Sequence, residues 1–293
     1  MTESRSIVCG VDDSEFSDHA LVAAFGLARE RNLEVRLVHA SGLSGLLDRL
    51  TGEDLDQARS KTVARLEAML TAAGFESPEV ASRLEIVDGP AARAVVQAAR
   101  DHDAALIVLG RHQGLTALGD TVRAVVAHAP CPVLVQPVSA GPVRRILAAV
   151  DLSPESRRVL SAAHDEALAP GREGPSVTVL HCFVRPELGY IFGYPVPMPA
   201  SLIESSRETA RSDFDKEVGA IEWGSIEPAK EFVEADPATE ILARAADTDL
   251  IVLGTHGRTG LSFSVLGGVA GRVLHEVEVP VLVVRAPDRA WAL

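Results

Sequence analysis

Two stretches of the sequence carry residues suited to holding an anion. One is an acid, Asp151, followed two residues later by Ser153 at the end of a short apolar run. The other is the glycine-rich segment from Gly254 to Val269, which closes a second apolar run. Its spacing is Gly254, two residues, Gly257, nine residues, then Gly267 and Gly268 ahead of a stretch with helical periodicity. Glycines lack a Cβ, so backbone there can approach a polyphosphate closely. A helix opening at Gly267 and Gly268 also directs free N–H groups and its positive dipole end to the same place. The segment is not a P-loop, because no Gly-Lys-Ser or Gly-Lys-Thr follows, and the loop after the first strand lacks the dinucleotide glycine fingerprint. On spacing alone, tight turns account for the glycines as well as a ligand does. Asp151 taken alone reads as a loop acid capping the helix that begins near Pro154.

Other chemistries find less support. The nine histidines show neither an HExxH pattern nor Cys/His ligand spacing, so no metal is expected. His39 and His181 end equivalent strands and read as structural. No Gly-x-Ser-x-Gly elbow or Cys-His constellation is present, and Asp12 and Asp13, being adjacent at a strand end, point apart. No catalytic set is expected.

The elements that position these residues come in two copies. Arg5 to Asp12 with Ser14 returns as Arg145 to Asp151 with Ser153, the two acids 139 residues apart. Val35 to His39 returns as Val177 to His181, Leu106 to Gly110 returns identically as Leu250 to Gly254, and Pro130 to Val135 is echoed by Val279 to Val283. Four ordered matches with slowly drifting offsets mean a duplication. Within each copy, Val/Ile/Leu runs alternate with Ala-rich helical periodicity, the pattern of βα units around a parallel sheet buried on both faces. Strands are predicted near 6–11, 34–39, 83–87, 105–109 and 132–136, and again near 144–150, 176–182, 230–234, 249–253 and 280–284. Helices fill the gaps near 15–31, 52–73, 90–101 and 120–128, then 154–168, 200–220, 237–246 and 268–276. In such sheets ligands bind beyond the carboxyl ends of the strands where strand order reverses, which makes the loops after strands one and four the places of interest.

With 293 residues, 47% hydrophobic and 24% charged, the chain is long enough for two self-sufficient domains. These are read as residues 1–140 and 141–293, with Ser139 to Pro142 as linker. Twenty-eight basic against 41 acidic residues leave a net charge of −13, which repels phosphate backbones and anionic lipid, so neither nucleic acid nor a membrane is an expected partner. No apolar stretch reaches the roughly 20 residues of a spanning helix. The N-terminus lacks a signal-peptide pattern, and three cysteines, Cys9, Cys131 and Cys182, sit in or beside apolar runs, which fits buried thiols in a reducing compartment. The expected location is the cytoplasm.

At these residues the chain resembles the universal stress protein family, in its tandem form, over essentially its whole length. The shared features are Val-Asp-x-Ser after strand one of both halves, the His ending strand two, and Asp88-Gly89-Pro90 and Asp236-Pro237 leading into helix three. The strand-four glycine motif followed by Pro-Val-Leu-Val completes the match. The resemblance implies an α/β fold of two tandem five-stranded parallel-sheet domains, Rossmann-like and akin to the adenine nucleotide alpha hydrolases, joined edge to edge as an internal pseudo-dimer. It implies ATP, with or without Mg2+, as the ligand. By position, Asp151 would bond the ribose or the adenine edge, and Val150 and Cys182 would wall the adenine. Gly254, Gly257, Gly267, Gly268 and Val269 would hold the phosphates. His256 and Arg258 belong to the same loop, where Arg258 either adds charge toward the phosphates or is simply solvated.

The match has two departures. Gly268 stands where the family has Ser or Thr, so one hydroxyl donor is missing while its backbone N–H remains. In the first copy nine positions separate Gly110 from Gly119, against thirteen between Gly254 and Gly267, Gln113 replaces the second motif glycine, and Asp120 takes the Ser/Thr position. A carboxylate there can cap the helix itself and would repel phosphate. The first half is therefore expected to be a degenerate scaffold that does not hold ATP in the family's way.

Two further expectations concern surfaces. Phe183 to Ala200, with Tyr190, Phe192, Tyr194 and four prolines, reads as a lid or partner surface, or as a segment folded onto its own domain, and the first copy has the helix-like Leu43 to Leu50 there. The last strand of each copy is a bare Val/Leu edge that the other copy's last strand would cover. The resulting reading is an adenine-nucleotide-binding regulatory protein of stress response, with a protein partner and with a homodimer left open. The alternatives are a nucleotide-free interaction or scaffold module, or a slow ATPase. Against the ATPase stand the missing Walker lysine, Mg2+ carboxylate pair and positioned base.

Overall fold

The computed structural model of the chain describes residues 6–12, 14–40, 52–76, 79–111, 119–137, 141–186, 190–191, 194–195, 198–255 and 266–285. The first half runs β1 (Ser6–Gly10), α1 (Glu15–Arg31), β2 (Glu34–Ala40), α2 (Gly52–Ala72), α3 (Val80–Arg83), β3 (Leu84–Val87), α4 (Ala91–Asp101), β4 (Ala104–Gly110), α5 (Asp120–His128) and β5 (Val133–Gln136). The second runs β6 (Arg145–Val150), α6 (Ser156–Ala167), β7 (Ser176–Phe183), β8 (Tyr190–Ile191), β9 (Tyr194–Pro195), α7 (Ala200–Gly219), β10 (Ala229–Glu234), α8 (Pro237–Arg244), a 3-10 turn (Ala245–Asp247), β11 (Leu250–Gly254), α9 (Gly268–Glu276) and β12 (Val281–Val284). Three elements had no counterpart in the periodicity: α3, too short to show a pattern, and β8 with β9, a two-residue antiparallel ladder inside the proline-rich segment. Phe192 and the stretch Leu43 to Leu50 lie outside the described residues.

Among the described residues ten strands form one sheet in the order β10-β7-β6-β11-β12-β5-β4-β1-β2-β3. All neighbours are parallel except β12 and β5, which pair antiparallel with Val281 opposite Val135, Leu282 opposite Leu134 and Val283 opposite Val133. The two Val/Leu edges thus cover each other, as an exposed apolar edge requires. Alternate side chains along each strand enter opposite layers. Leu134, Leu250, Val252 and Leu282 lie in the core beneath α1 and α6, while Val133, Val135, Ile251, Leu253, Val281 and Val283 lie in the core beneath α4, α5, α8 and α9. Both cores run across the seam without interruption.

Polar contacts reinforce that seam. The buried Arg111 donates from Nη1 to the His275 carbonyl at 2.7 Å, at the C-terminal end of α9. Arg285 donates to the Ala127 carbonyl near the end of α5. Each half therefore supplies a guanidinium to the negative end of a helix in the other.

Local signals set α1. Ser14 accepts from the Ser17 N–H at 3.3 Å, Glu15 and Asp18 sit in the first turn, Arg29 and Arg31 in the last, and Asn32 closes it at φ 52. Ala20, Ala24 and Ala28 are buried against the sheet. Gly26, in the helix interior, costs about 1 kcal/mol relative to alanine, yet a Cβ there would meet nothing within 4 Å. Gly110 is the opposite case: a Cβ would lie 2.2 Å from the Phe16 carbonyl oxygen, so only glycine lets β4 end against α1.

The three cysteines are buried and unpaired. Among the described residues no helix is long and apolar enough to cross a membrane.

Candidate functional site

Strand order reverses between β6 and β11, whose flanking neighbours β7 and β12 lie on opposite sides. At this switch point a cavity of about 680 Å3 opens. Val150, Asp151, Cys182, Gly254, Gly267, Gly268 and Val269 all line it, so the structure brings these expected residues together from β6, β7, β11 and α9. His256, Gly257 and Arg258 lie outside the described residues.

Asp151 leaves β6 into a tight turn. Its Oδ1 accepts from the Ser153 N–H at 3.0 Å and from the Ser156 hydroxyl at 3.2 Å. Leu152 between them is held at φ 62, a left-handed conformation that costs a non-glycine residue roughly 1–2 kcal/mol, and the Asx-type bond from Ser153 offsets part of that cost. The expectation that Asp151 caps the next helix is corrected here. α6 begins at Ser156 with Glu155 at its cap position and no side-chain cap bond, because the left-handed turn delays the helix and turns the carboxylate to Ser153 and Ser156 instead. The consequence lies in the other oxygen. Asp151 Oδ2 is buried and accepts no hydrogen bond among the described residues. A buried acceptor without a donor costs about 1–3 kcal/mol, so a ligand hydroxyl that supplied one would be gripped selectively.

α9 begins at the wall of the same cavity. Its cap residue is Gly267, whose N–H donates to the Thr255 carbonyl at 3.0 Å, and among the described residues no side chain caps the helix. The first-turn N–H groups are thus left for a ligand. Gly268 is exposed, and a Cβ built on it meets nothing within 4 Å. A serine therefore fits without displacing anything. Gly268→Ser is expected to tighten the hold of the α9 amides on a polyphosphate by about tenfold at most, the worth of one added neutral hydrogen bond; calorimetric titration of both forms with ATP checks it, and weaker binding by the serine form would contradict it.

Most of the remaining wall is apolar, with Glu155 and Arg185 as further charged side chains in it. Val150 and Cys182 join Ile241, Pro237 and Leu253 around it. Burial pushes the Cys182 thiol up to about 11, with the Glu240 carboxylate adding to the shift, so it is neutral at ordinary pH. His181, read as structural, is buried, with its Nδ1 2.8 Å from the Val150 carbonyl. Since that carbonyl only accepts, Nδ1 carries the proton. The same ring also lines the cavity, as do Ser156, Val159 and Thr255, none of which the glycine and acid motifs had singled out. For Ser156 the signal was available: Ser17 lies five residues after Asp12, as Ser156 does after Asp151.

The first half repeats part of this arrangement. Asp12 Oδ1 accepts from the Ser14 N–H at 2.9 Å, and His39 Nδ1 lies 3.0 Å from the Val11 carbonyl. It differs where phosphates would sit. Arg111 takes the place of Thr255 and is drawn across the seam to α9. Gly119, not Asp120, is the cap residue of α5, which corrects the expectation of an aspartate cap. Asp120 is the first helical residue, exposed, with its charge at the positive end of the helix. Residues 112–118, including Gln113, lie outside the described residues. No group of three or more His, Cys, Asp or Glu side chains is placed to hold a metal ion among the described residues.

Comparison with known proteins agrees with this fold. The sequence profile of the Universal stress protein family matches residues 3–137 and 142–285. A universal stress protein of Mycobacterium tuberculosis is 27% identical over 304 aligned positions, covering 97% of this chain and 98% of its own. A Pseudomonas aeruginosa protein of unknown function superposes with a TM-score of 0.66 at 21% identity, over 97% of this chain and 94% of its own. A universal stress protein from Archaeoglobus fulgidus superposes with a TM-score of 0.60 at 18% identity, over 97% and 99%.

Proposed function

This chain belongs to the universal stress protein family, in its tandem form, and from that premise we propose that its second half binds an adenine nucleotide, ATP foremost. Its role is then that of a regulatory protein of stress response whose nucleotide occupancy sets its conformation toward a protein partner. The observation that carries the reading is the buried, unpartnered Oδ2 of Asp151 sharing one cavity with an uncapped helix start. The two ends ask for different groups: a hydroxyl donor at the carboxylate and a polyanion at the α9 amides. A nucleotide supplies both, and the apolar wall of Val150, Cys182 and Ile241 suits its base. Mg2+ arriving with the phosphates would supply charge neutralisation in a chain of net charge −13. The described wall contains no lysine, and its one histidine, His181, faces a backbone carbonyl, which favours binding over turnover.

Mass spectrometry of ligand released from freshly purified, denatured protein is expected to find an adenine nucleotide. A protein that is empty, and that retains none after incubation with millimolar ATP, would overturn the reading.

A further inference from the structure

A second cavity, of about 280 Å3, lies on the other face of the sheet, where the two halves meet. Its floor is built by Leu106, Leu134, Leu250 and Leu282, from β4, β5, β11 and β12, and Gly26 of α1 is in its wall. Two features distinguish it from ordinary imperfect packing. The first is Gly26: an interior helical glycine that no close neighbour requires, since a Cβ there meets nothing within 4 Å. An alanine would make a better helix and narrow the cavity, so the glycine keeps space open.

The second is charge. Glu166 Oε1 accepts from Arg31 at 2.6 Å, across the seam, and its Oε2 accepts from Arg172 at 2.9 Å. Glu166 and Arg172 both belong to the cavity wall, and both side chains are only 10% exposed. One carboxylate thus faces two guanidinium groups: Arg172 in the cavity wall, whose Nη1 also donates to the Val143 carbonyl at 3.1 Å, and Arg31 next to that wall, with a side chain 25% exposed. The buried Nε–H groups of both have no acceptor among the described residues. An unbalanced buried cation with unpaired donors is stabilised by an anion that brings acceptors. The other polar side chains of the wall are His19, Glu30 and Gln136, and Glu30 is exposed, so its charge is largely screened by water.

We propose that this seam cavity is a binding site for a small molecule with an apolar body and one anionic head, of the medium-chain carboxylic acid class. The body lies on the four leucines and the head pairs with the Arg31–Glu166–Arg172 cluster. Because the site draws on both halves, its occupancy bears on how they are held together, and it does not depend on the nucleotide reading.

Calorimetric titration of the full chain with octanoate and with octylamine tests this. Octanoate is expected to bind one per chain, and octylamine, with the same tail and the opposite charge, at least about tenfold more weakly. Gly26→Leu fills the space, improves the helix and is remote from the nucleotide cavity. It is expected to weaken octanoate by about tenfold or more while ATP binding stays as it was. Methyl NMR of the unsubstituted chain decides the matter should that variant fail to fold, with octanoate shifting Leu106, Leu134, Leu250 and Leu282. Absence of octanoate binding at several millimolar, equal affinity for octylamine, or shifts at Ile241 in place of the four leucines would each overturn the proposal.

Discussion

Gly268→Asp is expected to weaken ATP binding by more than about a hundredfold while the protein stays folded. Gly268 opens α9 and is exposed, and a Cβ there meets nothing within 4 Å, so the substitution introduces no backbone-proximal clash. An acid in the first turn also stabilises a helix by roughly 0.3–1 kcal/mol, so thermal stability is expected to hold or rise. The same carboxylate competes for the α9 amides and repels the phosphates. At ~4 Å and an effective dielectric constant of about 20, one unit pair repels by about 4 kcal/mol, more than the roughly 2.8 kcal/mol of a hundredfold change. The variant copies the first half, where Asp120 stands at the matching place in α5. Calorimetric titration beside a thermal melt reads both quantities, and an affinity within threefold of the unsubstituted protein would contradict the role given to the helix start.

Asp151 is expected to matter almost as much, by a different route. Replacing it with alanine removes the charged acceptor and the turn it organises, whereas Asp151→Asn retains an Oδ1 for Ser153 and Ser156 and converts the unpartnered Oδ2 to a donor. Hydrogen bonds to a charged group are worth roughly 1.5–3 kcal/mol, so both variants are expected to lose about ten- to hundredfold in ATP affinity. Only the alanine form also loses the Asx bond that holds the left-handed turn at Leu152, about 1 kcal/mol, which removal of the buried, unpartnered Oδ2 offsets, so its stability is expected to stay within about 1 kcal/mol of the parent. Comparing denaturant midpoints with binding constants separates the two effects, and an asparagine form that binds ATP as the parent does would remove Asp151 from the ligand's contacts.

The fold was legible because the duplication displays it twice. Leu-Ile-Val-Leu-Gly at 106–110 and again at 250–254 marks a strand buried on both faces, and the structure places both as β4 and β11. That the two last strands cover each other followed from the bare edges of Pro-Val-Leu-Val, which leave no polar face to expose, whereas their antiparallel pairing came only with the structure. What stayed hidden needed side chains from distant positions. Arg111 reads as part of a broken glycine loop, and only the packed halves bring it to the His275 carbonyl 164 residues away. Arg31 and Glu166 lie 135 residues apart and meet solely because α1 and α6 flank the same seam. In the switch-point cavity the backbone motifs, Asp151 with Gly254, Gly267 and Gly268, were visible as spacing. Of the apolar wall, Val150 and Cys182 came with the family resemblance, while Val159 and Ile241 resemble any other core residue until the cavity forms around them. The acid's true partners, Ser153 and Ser156, depend on the left-handed Leu152, which helix-start patterns do not anticipate.

Native mass spectrometry of the full chain titrated with ATP tests the central claim most directly, because it counts ligands on each folded molecule. The account predicts that a single ATP binds per chain at saturation and that Gly268→Asp binds none. Two ATP molecules on the unsubstituted chain, or one retained undiminished by Gly268→Asp, would contradict it.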